Sequence, residues 1–241
     1  MTHSGKLILQ RLGQAEKQNP KKIRENPVRS KAGVDEVAVS GSIGLIENPD
    51  VLTRKGEIRA VFRKRRMQLS GARSSVLSGL VAENLFSLER YRAARTVALY
   101  FPIAGEVSTL EIFENSVRFG KAVYFPRVEG SELEFGRVCE MSELAVESYG
   151  IPEPPRSSPS ISINDIDLAI IPCVAFDRSG GRLGYGHGYY DRSIGGVERR
   201  RRVALAYGFQ VVDALPNEKS DVEMGLVVTD EGTIFCEGGR T

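Results

Sequence analysis

The chain has 241 residues, of which 41% are hydrophobic and 27% are charged, and its net charge at pH 7 is only +2. This composition is typical of a globular protein, and the near-neutral charge gives no indication of a nucleic-acid or membrane partner. The three cysteines form no CxxC pair and are odd in number, which argues against a zinc knuckle or a disulfide framework and favours a reducing, cytoplasmic setting. No apolar run approaches the roughly 20 residues that span a bilayer, and the apolar stretch near the start is too short for a secretory signal.

The first 50 residues differ in composition from the rest of the chain. They carry scattered Lys, Asn, Pro, Ser and Gly, as in QNPKKIRENPVRSKAG, with only short apolar clusters. We interpret residues 1–50 as a flexible or loosely docked extension, with a short helix near Leu7–Glu16. Residues 51–241 are then predicted to form one α/β domain.

Helices and strands alternate after residue 51. Two amphipathic helices are predicted from apolar residues at helical spacing: Ile58, Val61, Phe62 and Leu69 in the first, and Leu77, Leu80, Val81, Leu85 and Leu88 in the second. In the first of these helices the Lys and Arg residues are expected on the opposite, solvated face. The predicted strands are apolar and β-branched: Thr96–Phe101, KAVYFP at 121–126, a weaker one at Leu133–Phe135, Ile166–Pro172, Arg202–Tyr207 and Gly225–Thr229.

The spacing of these elements predicts the fold class. Ser108 and Glu111 have the spacing of a capping box, so a helix through Ile112 and Val117 is expected between the first two strands. A strand, a helix and a strand of these lengths indicate a βαβ unit. The proline-rich segment at 150–160 is expected to be irregular. We therefore predict a three-layer α/β/α sandwich, Rossmann-like, with a mainly parallel sheet and a site at the carboxyl ends of its strands.

The segment FDRSGGRLGYGHGYYDR at 176–192 is the most informative one. Gly184, Gly186 and Gly188 alternate and are followed at once by two tyrosines and an aspartate. Because glycines have no side chain, main-chain N–H groups can approach a ligand closely and form a concave anion-binding surface. A helix beginning near Tyr189 would add a favourable potential for phosphate. The segment has neither the Walker nor the Rossmann glycine spacing.

This segment, together with others in the same order, resembles the 5-formyltetrahydrofolate cyclo-ligase family. The resemblance runs from Lys55 to Thr229 and includes KxxxR, EVxT at 106–109, YGIPEP at 149–154, IDLAIIP, the glycine-rich segment and LP…D…VVT. It implies an ATP-dependent ligase of one-carbon metabolism. ATP phosphorylates the formyl oxygen of 5-formyltetrahydrofolate, N10 attacks the activated carbon, and phosphate leaves to give 5,10-methenyltetrahydrofolate. The implied partners are a small reduced folate, ATP and Mg²⁺, with no nucleic acid and no membrane, and the implied protein is a cytoplasmic monomer.

The resemblance also assigns roles to residues. The residues implied to bind ATP are Lys55, Arg59, Arg182, Leu183, Gly184, Tyr185, Gly186, His187, Gly188, Tyr189 and Tyr190. Those implied to bind the folate are Arg59, Phe101, Glu106, Tyr185, Gly186, His187, Gly188 and Tyr189. Arg182, Tyr189 and Tyr190 are the candidate catalytic residues, and Asp191 and Asp221 are the candidate magnesium ligands. Alternatively, Lys55 and Arg59 are solvated helix charges, and Glu106 and Asp191 are helix caps.

Two departures from the family pattern concern the phosphate and metal contacts. His187 stands where some members have lysine, so a fixed positive charge at that position is not expected. Many members read H-D-x-x-x-D near the end, whereas this chain has Ser220, Asp221 and Gly225, with Glu223 as a possible substitute.

Two other functions therefore remain open. One is a family paralogue that binds ATP but acts on another small molecule, for example in thiamine metabolism. The other is a non-catalytic nucleotide- or RNA-binding module that uses the arginine clusters RKRR at 63–66 and ERRRR at 198–202, although solvated faces are the simpler interpretation of both clusters.

Overall fold

A computed structural model describes residues 49–236. Most of the predicted extension 1–50 and the predicted helix at Leu7–Glu16 lie outside the described residues, so both stay predictions. The helices are α1 (Pro49–Met67), α2 (Gly71–Ser87), α3 (Glu89–Ala93), α4 (Leu110–Arg118) and α5 (Tyr189–Ile194). The strands are β1 (Thr96–Ala98), β2 (Ala122–Glu129), β3 (Glu132–Val138), β4 (Ala145–Val146), β5 (Pro152–Glu153), β6 (Ser160–Ile161), β7 (Leu168–Pro172), β8 (Ala175–Asp177), β9 (Arg182–Leu183), β10 (Arg202–Leu205), β11 (Val211–Val212), β12 (Leu226–Thr229) and β13 (Gly232–Phe235).

One large sheet organises the molecule, in the order β13-β12-β10-β7-β1-β2-β3-β6. Its five central strands, from β12 to β2, are parallel, and the strands at the edges are antiparallel. Strands β1 and β2 pair in parallel through Val97 and Val123, with α4 between them in sequence, so the predicted βαβ unit is confirmed. The smaller sheets are β11-β8-β9 and the hairpin β4-β5.

Apolar side chains cover both faces of the central sheet, because successive residues of a strand point to opposite faces. Val97, Leu168 and Ile170 pack in one cluster with residues of α2, α3 and α4. Ala98 and Ala169 point the other way and pack with residues of α5 and its neighbouring turns. The predicted three-layer arrangement is confirmed.

Three local predictions were wrong. Helix α4 begins at Leu110 with Thr109 as its N-cap and no side-chain cap bond, because Ser108 lies one residue too early for the capping box. The proline-rich segment contributes the short strands β5 and β6, since a proline at a strand edge needs no N–H partner. Val61 and Leu80, which were predicted on the apolar faces of their helices, are 54% and 40% exposed.

The inward face of α1 is partly charged. Lys55, Phe62 and Arg66 are the buried residues of this helix, and Arg59 is half-buried. Phe62 packs in a third, smaller cluster with Leu183 and Leu215, which joins α1 to β9 and to the loop before β12. None of the helices in the described part of the chain is long and apolar enough to cross a membrane.

Candidate active site

The predicted site residues converge at the carboxyl ends of β1 and β7. Between these two neighbouring strands the chain order reverses, with β2 on one side of β1 and the later strands on the other. Such a switch point leaves a crevice that open α/β sheets use for ligands. Arg66 donates to the carbonyl of Cys173 just after β7, and Arg182 donates to the carbonyl of Pro172 at its end.

Lys55 carries a buried positive charge into this region. Its ammonium group lies 2.7 and 3.0 Å from the two carboxylate oxygens of Asp221 and also donates to Glu218. Only 4% of Lys55 is exposed, so the alternative of a solvated helix charge is wrong for this residue. A buried ammonium needs such partners, because burying a charge without one is costly.

Arg59 lies one helical turn beyond Lys55 and joins α1 to the glycine-rich loop. Its Nε donates to the carbonyl oxygen of Gly184 over 2.9 Å. Partial burial lowers the pKa of its guanidinium group, while the nearby charges of Asp221, Glu218 and Asp191 act in the opposite direction. Lys55 and Arg59 therefore share one face of the helix, as predicted from their spacing of four residues.

The glycine-rich loop is shaped around arginine side chains. A Cβ atom on Gly184 would lie 2.8 Å from Arg182, one on Gly186 would lie 3.4 Å from Arg59, and one on Gly188 would lie 2.6 Å from Arg192. Gly186 and Gly188 also have φ values of 103° and 68°, in the region that favours glycine.

The main-chain N–H groups of residues 184–188 form no hydrogen bond within residues 49–236. Unpaired amides on a glycine loop are what an anion-binding concavity requires. The loop therefore presents donors to the crevice while its glycines leave room for three guanidinium groups.

Arg182 lies on β9 behind the loop. It donates to a carboxylate oxygen of Asp191 over 2.8 Å, and its guanidinium carbon lies 5.8 Å from the centre of the Tyr190 ring. Tyr190 is half-buried, and burial raises the pKa of its phenol. Leu183 is buried in the small cluster with Phe62, so its side chain is part of the core. Helix α5 begins at Tyr189, as predicted.

Glu106 and Arg66 form a buried pair that contacts the loop through Tyr185. Glu106 is 6% exposed; one carboxylate oxygen accepts from the N–H of Ile103 over 2.9 Å, and the other lies 3.8 Å from the Arg66 guanidinium. Burial raises the pKa of Glu106 to about 7, and the charge of Arg66 limits that rise. Arg66 also donates to the hydroxyl of Tyr185 over 2.5 Å. This arrangement joins the loop to the segment after β1, where Phe101 is half-buried against the main core.

Arg66 is a residue of the site that the sequence interpretation missed. It was assigned to a solvated cluster, but only 1% of it is exposed. Its spacing from Arg59 and Phe62, at seven and four residues, places it on the same inward face of α1, and the sequence could have indicated its role through this spacing.

The second arginine cluster, at 198–202, also forms hydrogen bonds within the protein. Arg199 donates to the carbonyls of Met224 and Ser179, and Arg202 donates to that of Glu223. Both residues are half-buried, so the solvated-face interpretation was wrong for them.

The two candidate metal ligands lie in adjoining segments. Asp191 accepts from the N–H of Val222, the residue that follows Asp221. Each carboxylate is paired with a cation: Asp191 with Arg182, and Asp221 with Lys55. Among residues 49–236 no group of three or more His, Cys, Asp or Glu side chains is placed to hold a metal ion.

Gly225 has a packing reason to lack a side chain. A Cβ atom there would lie 2.1 Å from the carbonyl oxygen of Arg199, so the aspartate of other family members cannot fit on this backbone. Glu223 lies 3.3 Å from the Arg199 guanidinium.

His187, Tyr189 and Tyr149 form an aromatic group at the outer end of the loop. The ring centres of Tyr149 and His187 are 5.6 Å apart, and those of Tyr149 and Tyr189 are 6.1 Å apart. The hydroxyls of the two tyrosines are hydrogen bonded over 2.8 Å. His187 is exposed and Tyr189 is half-buried.

Comparisons with known proteins identify the family of the chain. The family model for the 5-formyltetrahydrofolate cyclo-ligase family matches residues 51–230. The 5-formyltetrahydrofolate cyclo-ligase of Haemophilus influenzae is 32% identical over 71% of this chain and 95% of its own length. That of Escherichia coli K12 is 31% identical over 70% and 96%.

Two solved structures are similar as well. The 5,10-methenyltetrahydrofolate synthetase of Aquifex aeolicus is 36% identical, with a TM-score of 0.69 over 78% of this chain and 95% of that one. The synthetase of Mycoplasma pneumoniae is 28% identical, with a TM-score of 0.60 over 73% and 98%. On the order of its motifs, its fold and these matches, the chain belongs to the 5-formyltetrahydrofolate cyclo-ligase family.

Proposed function

We propose that this protein uses ATP to close the ring of 5-formyltetrahydrofolate and so forms 5,10-methenyltetrahydrofolate. The observation that carries the proposal is the surroundings of the glycine-rich loop. Next to its unpaired amides, Arg59 contacts Gly184 and Arg182 precedes the loop, and with Lys55 these cations suit a triphosphate. The buried Glu106 lies beside Arg66, which donates to Tyr185 of the loop, and suits the hydrogen-bonding edge of a pterin.

The chemistry explains why the cations for the triphosphate and the carboxylate for the pterin are both needed. The formyl oxygen is a poor leaving group, and transfer of the γ-phosphoryl group of ATP to it makes a good one. N10 then forms a bond to the formyl carbon and loses its proton to solvent, the carbon–oxygen bond to the phosphate breaks, and ADP and phosphate are the other products. The protein holds the formyl oxygen in line with the γ-phosphoryl group and neutralises the charge that develops there, which are tasks of position and electrostatics.

Each cation of the site has a distinct task in this proposal. Arg59 lies against Gly186 and extends from α1 to the loop, so it is placed to contact phosphate and folate together. Arg182 is buried behind the loop and held by Asp191, so its orientation is fixed before a nucleotide binds. Lys55 must exchange at least one of its carboxylate partners for phosphate.

This exchange favours Mg²⁺ as a component of the site. A magnesium ion takes one or two carboxylates and completes its shell with phosphate oxygens and water. Asp191 and Asp221 would hold it, and in this structure they pair with the cations Arg182 and Lys55 respectively. When bound, the ion would neutralise phosphate charge, and Asp221 would release Lys55 toward the nucleotide.

The test is the absorbance of the methenyl product, recorded with purified protein, 5-formyltetrahydrofolate and Mg-ATP. We expect product only when ATP is present, with ADP formed in equal amount. An Arg182→Ala variant serves as the matched comparison and should form the product more slowly. No product from wild-type protein that still melts at a higher temperature with ATP would contradict the proposal and favour the paralogue that acts on another small molecule.

The RNA-binding alternative has less support. Arg66, Arg199 and Arg202 donate to groups of the protein itself, so these three arginines of the two clusters are engaged within the fold. Binding to RNA that falls steeply with rising salt would revive that alternative.

A monomeric, cytoplasmic protein is also part of the proposal. Its cysteines in the described residues, Cys139, Cys173 and Cys236, are all free thiols, which supports a reducing compartment. Size-exclusion chromatography and cell fractionation test the two statements separately.

A further inference from the structure

The ammonium group of Lys55 is fully engaged by carboxylates of the loop before β12. An ammonium group has three N–H donors and no acceptor. Two oxygens of Asp221 lie 3.0 and 2.7 Å from the Lys55 nitrogen, and one oxygen of Glu218 also accepts from it. The acceptor oxygens thus equal the donors in number, and only 4% of Lys55 is exposed. A phosphate group can bond to this ammonium only after a carboxylate oxygen has left it.

The two carboxylates are not held equally. The N–H of Asp221 donates to the carbonyl of Glu218 over 3.0 Å, and its Oδ2 accepts from the N–H of Glu218 over 2.8 Å, so Asp221 is part of a closed turn. The Oε1 of Glu218, in contrast, is buried and has no hydrogen-bond partner among residues 49–236. A buried carboxylate oxygen without a partner is costly. Glu218 is therefore the less well satisfied of the two partners of Lys55.

The side chain of Glu218 also has access to water. It is 20% exposed, so rotation about its side-chain bonds would move the carboxylate into solvent and hydrate both oxygens. In the proposed function Asp221 turns toward Mg²⁺ and releases Lys55. Glu218 is then the carboxylate that still competes with a phosphate for the ammonium group.

The charge of Glu218 acts on a second cation of the site. Partial burial lowers the pKa of the Arg59 guanidinium group, and the negative charges of Asp221 and Glu218 counteract this effect. Arg59 donates to the carbonyl of Gly184 in the glycine-rich loop. A carboxylate that stabilises both Lys55 and Arg59 in the nucleotide-free protein opposes the binding of a further anion beside them, because like charges repel.

We propose that Glu218 stands in for a nucleotide phosphate on Lys55 and that its displacement sets the affinity of the protein for ATP. This inference rests on the proposed function, which places the triphosphate beside Lys55 and Arg59. A carboxylate and a phosphate are both anionic acceptors, so either one satisfies the buried ammonium group. The phosphate contact forms only where Glu218 has left Lys55, and the apparent affinity is lower by the fraction of such molecules.

The test is Glu218→Gln, which keeps the length of the side chain and removes its charge. Calorimetric titration with Mg²⁺ and adenylyl imidodiphosphate, a non-hydrolysable ATP analogue, measures nucleotide binding without folate and without turnover. We expect the Kd of the analogue to fall about threefold to tenfold. The KM for ATP should fall by a similar factor, and the KM for 5-formyltetrahydrofolate should change less than about twofold.

Melting temperatures separate this role from a purely structural one. Without nucleotide, Glu218→Gln should melt at a lower temperature than the wild type, because Lys55 loses a charged partner. At a saturating concentration of the analogue the difference should become smaller, since tighter binding stabilises the variant more. If Glu218 only braces the loop against α1, the variant should be destabilised equally with and without nucleotide.

Glu57→Gln is the matched control. It removes the same charge from an exposed position on α1, the helix that carries Lys55. Its Kd for the analogue should stay within about twofold of the wild-type value, because solvent and salt screen an exposed charge.

The outcomes distinguish this inference from the proposed function. An unchanged or higher Kd in Glu218→Gln overturns the role of Glu218, and a higher Kd would show that its charge favours the nucleotide. Methenyl product from the wild type would leave the proposed function standing in that case. Wild-type protein that binds the analogue but forms no product overturns the folate chemistry alone, and wild-type protein that does not bind the analogue overturns both proposals.

Discussion

Replacing Glu106 with glutamine should change how the stability of the protein depends on pH. Glu106 is buried beside Arg66, and its pKa rises from an ordinary 4.5 to about 7. A carboxyl group whose pKa is higher in the folded state than in the unfolded state binds more protons when folded. The contribution of Glu106 to the free energy of unfolding of the wild-type protein should therefore decrease as the pH rises from 4.5 through 7.

The magnitude follows from the same two pKa values. Each pKa unit corresponds to about 1.4 kcal/mol. Between pH 5 and pH 8.5 the contribution of Glu106 should fall by about 2–3 kcal/mol, and most of this change should occur below pH 7. Glutamine has no proton to lose in this range. The stability of Glu106→Gln minus that of the wild-type protein should accordingly increase by the same amount across the interval.

Urea unfolding at a series of pH values measures this difference directly. Any difference in stability between the protonated carboxyl group and the glutamine amide shifts the whole Glu106→Gln curve by a constant, which does not affect the slope. Glu83→Gln is the matched control, because Glu83 is exposed on α2 and its curve should run parallel to that of the wild type. Parallel curves for Glu106→Gln and the wild type would refute the reasoning, and so would a difference that decreases as the pH rises.

Three further substitutions test other residues in the site and beside it. Arg182→Ala should weaken the use of ATP by about 1–3 kcal/mol in kcat/KM, as expected for loss of a charge-assisted bond; unchanged kinetics would remove Arg182 from the site. Lys55→Met keeps the length of the side chain but leaves the charge of Asp221 without its ammonium partner, so the KM for ATP should rise about tenfold or more, and an increase confined to the folate KM would contradict this assignment. Gly225→Asp, which restores the residue of other family members, should destabilise the protein by about 3 kcal/mol or more because the new side chain meets the Arg199 carbonyl, and a stable, fully active variant would show that the backbone at this position relaxes.

The sequence alone predicts the parallel strands of the sheet well. The runs at Thr96–Phe101, Ile166–Pro172 and Arg202–Tyr207 are almost wholly apolar, and a strand buried on both faces requires that composition. The glycine-rich loop was also identified correctly as a distinctive feature, since repeated glycines need a backbone reason. In this structure, part of that reason is the room they leave for arginines.

The predictions that were wrong involve contacts between residues far apart in sequence. Arg66 lies in a run of basic residues that looks solvated, and only its contacts with Cys173 and Tyr185, more than 100 residues away, make it an interior residue. The spacing of Gly225 from Asp221 does not indicate that the Arg199 carbonyl fills the space beside Gly225. Periodicity reports which face of a helix is inward, but it does not report whether a charged residue on that face finds a partner.

A single buried carboxylate shows how such contacts fix the site before any ligand binds. One oxygen of Asp177 accepts from the N–H groups of Ser179 and Gly181, and the other accepts from the N–H of Leu215. Asp177 thereby joins the turn that leads into β9 to the loop that carries Asp221. An asparagine could accept through only one of the two side-chain atoms, so the carboxylate is the group that can serve both segments at once. The bonds of Asp177 therefore set the relative position of these two segments, which supply Arg182 and the carboxylate partners of Lys55. Since the segments are ordered before a ligand binds, binding loses less conformational entropy.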